Sequence, residues 1–359
     1  TMSLTDRENY LRTAKFEGGE WIPTFVSISP ASWLQLREDL EDVLVRHPAF
    51  FPGFEKGKRD YDAWEHGPAY REDERFTDSW GCVWGNRWGG LEGQVVEHPL
   101  ADWRALDSYR APDPMVTGDR GPVDWGAIRQ GLARTRERGG LTRGGVAHGF
   151  LLMRLWYLRG FEQLMLDLAE EPPQLATLID LVTAHNARLV QEWLSLGVDL
   201  VDFGEDLGAQ RAPIIGPATF RKWIAPAYRR LMEPCRQAGA QVFLHSDGYI
   251  MDLVDDLLAC GVTILNPQDL VNGIDNLARH VKGRVCISLD TDRQRIVPFG
   301  TRREIRELIR EQVMKLGSPQ GGFMMGAGIY PPTPAENVDA LCDAYEEFRT
   351  YWWDGRGSP

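Results

Sequence analysis

From Gly144 onward, short apolar runs rich in β-branched residues alternate with stretches whose apolar positions recur every three or four residues. That alternation is the βαβα signature of a parallel sheet covered by helices. The runs IPTFVSI (22–28), VAHGF (146–150), VDLVDF (198–203), QVFLH (241–245), TILN (263–266), RVCISLD (284–290) and GFMMG (322–326) predict strands. A strand near DSWGCVW (78–84) brings the count to eight, the number that closes a (β/α)8 TIM barrel.

The intervening segments carry helical stripes. Between Pro173 and Gly197 the stripe is Leu175, Leu178, Ile179, Val182, Leu189, Val190 and Trp193, one buried helical face. The next helix carries Phe220, Trp223, Ile224, Ala227, Tyr228, Leu231 and Cys235, with Pro226 and Pro234 expected to bend or end it. Ile250, Leu253, Val254, Leu257 and Leu258 define a helix closing at Gly261. Ile305, Leu308, Ile309 and Val313 define another, and 334–352 reads as the last. No glycine-rich phosphate fingerprint follows the first strand, which disfavours a doubly wound sheet and a nucleotide cofactor.

Regularity fails between Phe50 and about Thr142, where Gly, Pro, Trp and charges mix in HGPAY, DSWGCVWGNRWGG and RAPDP. We expect loops and short hairpins there, an insertion over the C-terminal face of the barrel. Trp80, Trp84 and Trp88 would form an aromatic lid, with plain packing as the alternative. No linker or repeat divides the chain, so residues 1–359 read as one domain.

Composition narrows the picture. The chain of 359 residues is 43% hydrophobic and 26% charged, ordinary values for a globular protein. Its net charge of -12 disfavours a nucleic-acid partner, which needs clustered Lys and Arg. No run is long enough to span a bilayer and the charged start does not resemble a signal peptide. A cytoplasmic protein without membrane contact is therefore expected. Cys82, Cys235, Cys260, Cys286 and Cys342 show no CxxC pair and read as reduced, mostly buried thiols.

Candidate chemistry lies where strands end. Ser29, Asp78, His148, Glu205 with Asp206, His245 with Asp247, Asn266 with Gln268, and Asp290 all occupy such positions. In a barrel these ends converge on one face, where a small-molecule substrate binds. Caps and helix-dipole partners are the structural alternative for Asp206, Asp290 and Asp292. The densest signal is His245-Ser246-Asp247-Gly248: alternation puts His245 and Asp247 on one side of their strand. With Glu205 ending the preceding strand, the three form a candidate catalytic and metal-binding group, and Asp78 is a further catalytic candidate. Two carboxylates beside an imidazole favour a protonated histidine or a bound cation. Ser29, Trp80, His148, Asp206, Gln210, Asn266, Gln268 and Asp290 are the candidate substrate contacts.

The segments DFGEDLGAQRAPIIGP (202–217), VFLHSDGYIMDLVDDLL (242–258) and GGFMMGAGIYPPTPAENVDAL (321–341) resemble the uroporphyrinogen decarboxylase superfamily. The resemblance implies a (β/α)8 barrel, a homodimer, and either decarboxylation or methyl transfer involving a corrinoid protein or a thiol. The decarboxylase's arginine-rich MRQAGR-type clamp has no counterpart in WIPTFVSISPASW, and its GHGI motif reads Gly326-Ala327-Gly328-Ile329 here. The methyltransferases hold zinc through His-x-Cys and a later Cys; His245 matches the first ligand, and Asp247 stands at the first cysteine. Three readings follow. The first is a methyltransferase-like enzyme that moves a methyl group from a small methylated substrate to a partner's corrinoid, with zinc or another divalent cation at His245, Asp247 and Glu205. The second is a decarboxylase of uroporphyrinogen or another carboxylated substrate. The third is a ligand-binding barrel without catalysis.

Overall fold

A computed structural model describes residues 3–61 and 67–357. The chain divides into two compact units. The first unit takes its described residues from Thr1–Glu74, Asn86–Gly93 and Pro267–Pro359, and the second comprises Arg75–Gly85 and Gln94–Asn266.

Among the described residues, seven strands form the parallel α/β set: β1 (Thr24–Ile28), β2 (Arg143–Gly145), β3 (Leu200–Gly204), β4 (Gln241–Ser246), β5 (Ile264–Pro267), β6 (Cys286–Asp290) and β7 (Phe323–Ile329). In the second unit the neighbours run β2, β3, β4, β5. β3 lies parallel to β4 with Gly204 opposite His245, and β2 lies parallel to β3 with Gly145 opposite Asp202. In the first unit β7 sits between β1 and β6, parallel to both.

The core of the second unit follows from the apolar runs. Leu200, Val201, Phe203, Val242 and Leu244 are buried on the strands, and Leu175, Leu178, Ile179, Val182 and Val190 are buried on the helix Pro173–Ser195, which packs against β2. Each such side chain contributes roughly 1.5–3 kcal/mol by leaving water. In the first unit the helix Arg302–Leu316 starts at a capping box of Thr301 and Glu304 and buries Ile305, Leu308, Ile309 and Val313. The helix expected to bend or end at Pro226 and Pro234 runs from Ala225 to Gln237. Pro226 follows directly on a π-helical turn within a continuous helical run, and Pro234 falls close enough to the end that little of the ladder is lost. A π-helical turn, Phe220–Ile224, precedes it.

The strand expected near 78–84 does not join the parallel set. Val83–Gly85 pairs antiparallel with Arg75–Thr77 and with Gln94–Glu97. Residues 78–82 reverse direction because the Asp78 carboxylate accepts from the backbone N–H of Trp80 and Cys82, and Gly81 adopts φ +82. The strand expected at VAHGF is displaced to Arg143–Gly145, leaving His148 in the following loop. Besides small antiparallel pairs, the irregular stretch from 50 to 142 contains a 13-residue helix, Trp125–Glu137, capped by Asp124. Residues 62–66 of that stretch, including His66 of HGPAY, lie outside the described residues. All five cysteines are free and buried. No described helix is long and apolar enough to cross a membrane.

Candidate active site

The polar cluster of the second unit is assembled at the ends of β3, β4 and β5. His245 lies opposite Gly204, and the backbone N–H of Glu205 donates to its carbonyl at 3.0 Å. The next residue, Asp206, brings Oδ1 to 4.0 Å from His245 Nε2 and 3.3 Å from His148 Nε2. Asp247 Oδ1 approaches His245 Nε2 at 3.3 Å. The opposite nitrogen, His245 Nδ1, meets Asn266 Oδ1 at 2.7 Å. With the Asn266 amide oxygen as acceptor, Nδ1 donates, and Nε2 is the ring nitrogen that faces the carboxylates. The His148 and His245 rings lie 5.7 Å apart.

Two glycines set this geometry. Gly208 and Gly248 touch backbone to backbone: a Cβ on Gly248 would lie 2.1 Å from the Gly208 carbonyl oxygen, and Gly248 has φ +78. Hydrogen bonds from Gly208 N–H to Asp247 O (3.1 Å), Tyr249 N–H to Ala209 O (2.7 Å) and Leu207 N–H to Ser246 Oγ (3.0 Å) stitch the two loops together. Asp206 and Asp247 are thereby held side by side, with Asp247 N–H donating to Asp206 Oδ1 at 3.3 Å. Such an arrangement can pass a proton between an imidazole and a bound heteroatom. His148, Asp206 and His245 also offer three metal-type donor atoms within 4.8 Å of one another.

Residues 87–348 match the family model of uroporphyrinogen decarboxylase (URO-D). The chain belongs to the uroporphyrinogen decarboxylase family. A uroporphyrinogen decarboxylase of Thermus thermophilus is 29% identical over 277 residues, 71% of this chain and 72% of that relative. One from Solibacter usitatus is 29% identical over 136 residues, 38% of each. A solved methyltransferase from Methanosarcina mazei shares the fold, with a TM-score of 0.67 at 17% identity over 96% of this chain and 99% of its own.

Within this URO-D family member, Glu205 departs from its expected place beside His245 and Asp247. Its side chain is fully buried, with Oε1 accepting from Leu151 N–H (3.0 Å) and Met153 N–H (2.8 Å) and Oε2 from Tyr228 OH (2.6 Å). Burial pushes this carboxyl up to about 7, against the lowering effect of those three donors. Glu205 therefore secures the start of the helix Leu152–Arg159, and Asp206 takes the position facing His245.

Asp78 is likewise withdrawn. Its oxygens accept from Trp84 Nε1 (2.9 Å) and Arg154 (3.2 Å) as well as the turn N–H groups. Arg154, almost fully buried, also pairs with Asp119. Reasoning from sequence missed this pair of ion pairs, although an arginine inside the apolar run LLMRLWYL requires buried anions. Trp80 and Trp84 are core residues: Trp80 donates to Asp119 at 3.0 Å and Trp84 packs edge-on against Tyr157. Trp88 is exposed, in the first unit. Gln210 is exposed in the loop after Asp206.

Three expected substrate contacts belong to the first unit. Ser29 caps the helix Pro30–Arg46, accepting from Ser32 N–H at 3.1 Å. Gln268 and Asp290 meet through a parallel bridge, and Asp290 accepts from Arg293 at 2.6 Å. Asp292 accepts from the N–H groups of Gln294, Arg295 and Ile296, the capping role that its position allows. The thiols stand outside this chemistry: burial pushes Cys260 up to about 11 and Cys82 and Cys235 up to about 12.

Proposed function

We propose that this URO-D family member is a methyl-transfer enzyme that takes a methyl group from a small O- or N-methylated compound and passes it to the corrinoid of a partner protein. The observation that carries the reading is the pairing of two imidazoles, His148 and His245, with Asp206 and Asp247 at one set of strand ends. Carboxylates there repel a substrate bearing many carboxylates of its own, whereas the histidines suit proton delivery to a departing heteroatom.

The reduced corrinoid supplies the nucleophilic electron pair for the methyl group. The carbon–heteroatom bond breaks, its electron pair stays on the heteroatom, and a proton from the histidine cluster neutralises that atom. Asn266 fixes the ring of His245 for this purpose. Of the loop-rich stretch 50–142, the part that belongs to the second unit, 94–142, is proposed to cover the substrate. Anaerobic incubation with a reduced corrinoid protein and a panel of methoxylated and N-methylated compounds should produce the methylcobamide spectrum. Silence across a broad panel would count against the reading.

Decarboxylation is the second reading, favoured by the name that the 28–29% identical relatives carry. It predicts carbon dioxide release from a carboxylated substrate without any methyl acceptor.

A further inference from the structure

We propose that Phe25 and Tyr330, with the Asp290–Arg293 pair beside them, form a site in the first unit for the ring of a methoxylated phenol. The inference narrows the substrate of the methyl-transfer reading, and rests on that reading only for what becomes of the methyl group.

The site is built on β7, where Gly326 and Gly328 stand two residues apart and so share one face of the strand. An aromatic ring takes the space that a side chain would fill at each of them. A Cβ on Gly326 would lie 2.1 Å from the Phe25 ring, and a Cβ on Gly328 would lie 2.8 Å from the Tyr330 ring. The two rings therefore cover neighbouring positions, roughly 7 Å apart along the strand. Both stay open although pressed against the sheet: Phe25 is 41% exposed and Tyr330 37%. One exposed ring would need no explanation, but adjacent exposed rings on one face mark a binding surface.

The polar groups beside the rings select the ligand. Asp290 lies opposite Gly326 on β6, as Phe25 does on β1, so all three belong to one level of the sheet. The Asp290 carboxylate accepts from Arg293 at 2.6 Å, and the Arg293 guanidinium lies 5.1 Å from the centre of the Tyr330 ring. A recess of about 260 Å³ opens at this pair, with Gln268 and Thr291 in its wall. The pair is neutral as a whole. A methylated ammonium would meet the Arg293 charge, and a polycarboxylate would meet Asp290. A hydroxyl, in contrast, accepts from the guanidinium and donates to the carboxylate next to it. A planar ring lying between Phe25 and Tyr330 can reach both within the roughly 4.5–7 Å of aromatic pairs. A methoxylated phenol supplies the ring, the hydroxyl and the methyl group together.

The test titrates the full chain calorimetrically, without corrinoid, using 2-methoxyphenol, methoxybenzene, methoxycyclohexane and tetramethylammonium ion as probes. Saturable binding of 2-methoxyphenol is expected, about 10-fold weaker for methoxybenzene, which lacks the hydroxyl, and weaker still for methoxycyclohexane, which lacks the aromatic ring. Phe25→Ala and Tyr330→Ala should each weaken 2-methoxyphenol about 10-fold, whereas Tyr330→Phe keeps the ring and should keep the affinity. Circular dichroism checks the fold of each variant. No saturable binding of 2-methoxyphenol, equal affinity for methoxycyclohexane, tighter binding of tetramethylammonium, or wild-type affinity in folded Phe25→Ala overturns the proposal. Methylcobamide formed only from N-methylated aliphatic compounds would overturn it as well, while leaving methyl transfer standing. A 2-methoxyphenol that binds as expected but yields no methylcobamide would count against methyl transfer and leave the binding site standing.

Discussion

At Gly248 a single hydrogen atom decides whether two loops can meet. Any side chain there would enter the Gly208 carbonyl, with contacts of 2.1 and 2.2 Å, on a backbone at φ +78 that L residues rarely adopt. Gly248→Ala should therefore cost about 2–3 kcal/mol, the range of a strained position with a backbone collision. Urea unfolding measures it, and a loss below about 0.5 kcal/mol would mean that the loops separate freely. The HSDG motif shows how far residue-level reading reaches. His245 and Asp247 announce chemistry by type and spacing, but the role of Gly248 depends on Gly208, forty residues earlier, and no local pattern connects them. Asp206 and Glu205 present the same limit: adjacent carboxylates point to opposite environments, and only the packing of Tyr228 and of the 151–153 backbone decides which of them is buried.

Among the elements, the helix Leu152–Arg159 depends on a residue far from it in sequence. Its cap position is Leu151, which offers no side-chain acceptor, and Glu205 accepts from the N–H groups of Leu151 and Met153 instead. Glu205→Ala would strand two buried N–H groups and the Tyr228 hydroxyl. At about 1–3 kcal/mol per unsatisfied group, and with partial relaxation, a loss of about 3–5 kcal/mol is expected. Glu205→Gln retains an acceptor and should cost markedly less. Equal losses for the two substitutions in thermal unfolding would contradict this capping role. Elements with apolar runs were legible: β3 to β7 and the helices between them follow the sequence pattern closely. β2 was not, because its residues are Arg143, Gly144 and Gly145. A Cβ on Gly144 would enter the Trp193 ring at 2.3 Å, so close packing there demands a residue with no hydrophobic signal. The helix Trp125–Glu137 escaped for the opposite reason: Leu132 is its one buried residue, and a surface helix has no stripe to read.

For the whole molecule, a buried carboxyl links stability to pH. Asp269 is fully buried, accepts from Leu270 N–H at 2.6 Å and from Gln312 at 2.7 Å, and burial pushes it up to about 7 from an ordinary 3.8. Between those values the folded protein holds a proton that the unfolded chain has released. Stability from this group is therefore present at low pH and is lost as pH rises toward 7, by up to about 1.4 kcal/mol per pH unit. Asp269→Asn should remove that share of the slope. Urea midpoints of both proteins from pH 4.5 to 7.5 test it, and parallel curves would show that Asp269 ionises normally. The net charge of -12 bears on the function at the same scale, since a strongly anionic protein gains nothing in capturing a substrate of many carboxylates.

The claim that this chain departs from the chemistry for which its family is named is tested most directly by incubation with uroporphyrinogen, followed by separation of the porphyrinogen products. The cluster of His148, Asp206, His245 and Asp247 predicts that uroporphyrinogen is recovered intact. Formation of coproporphyrinogen, at a rate that falls in His245→Ala, would contradict the account.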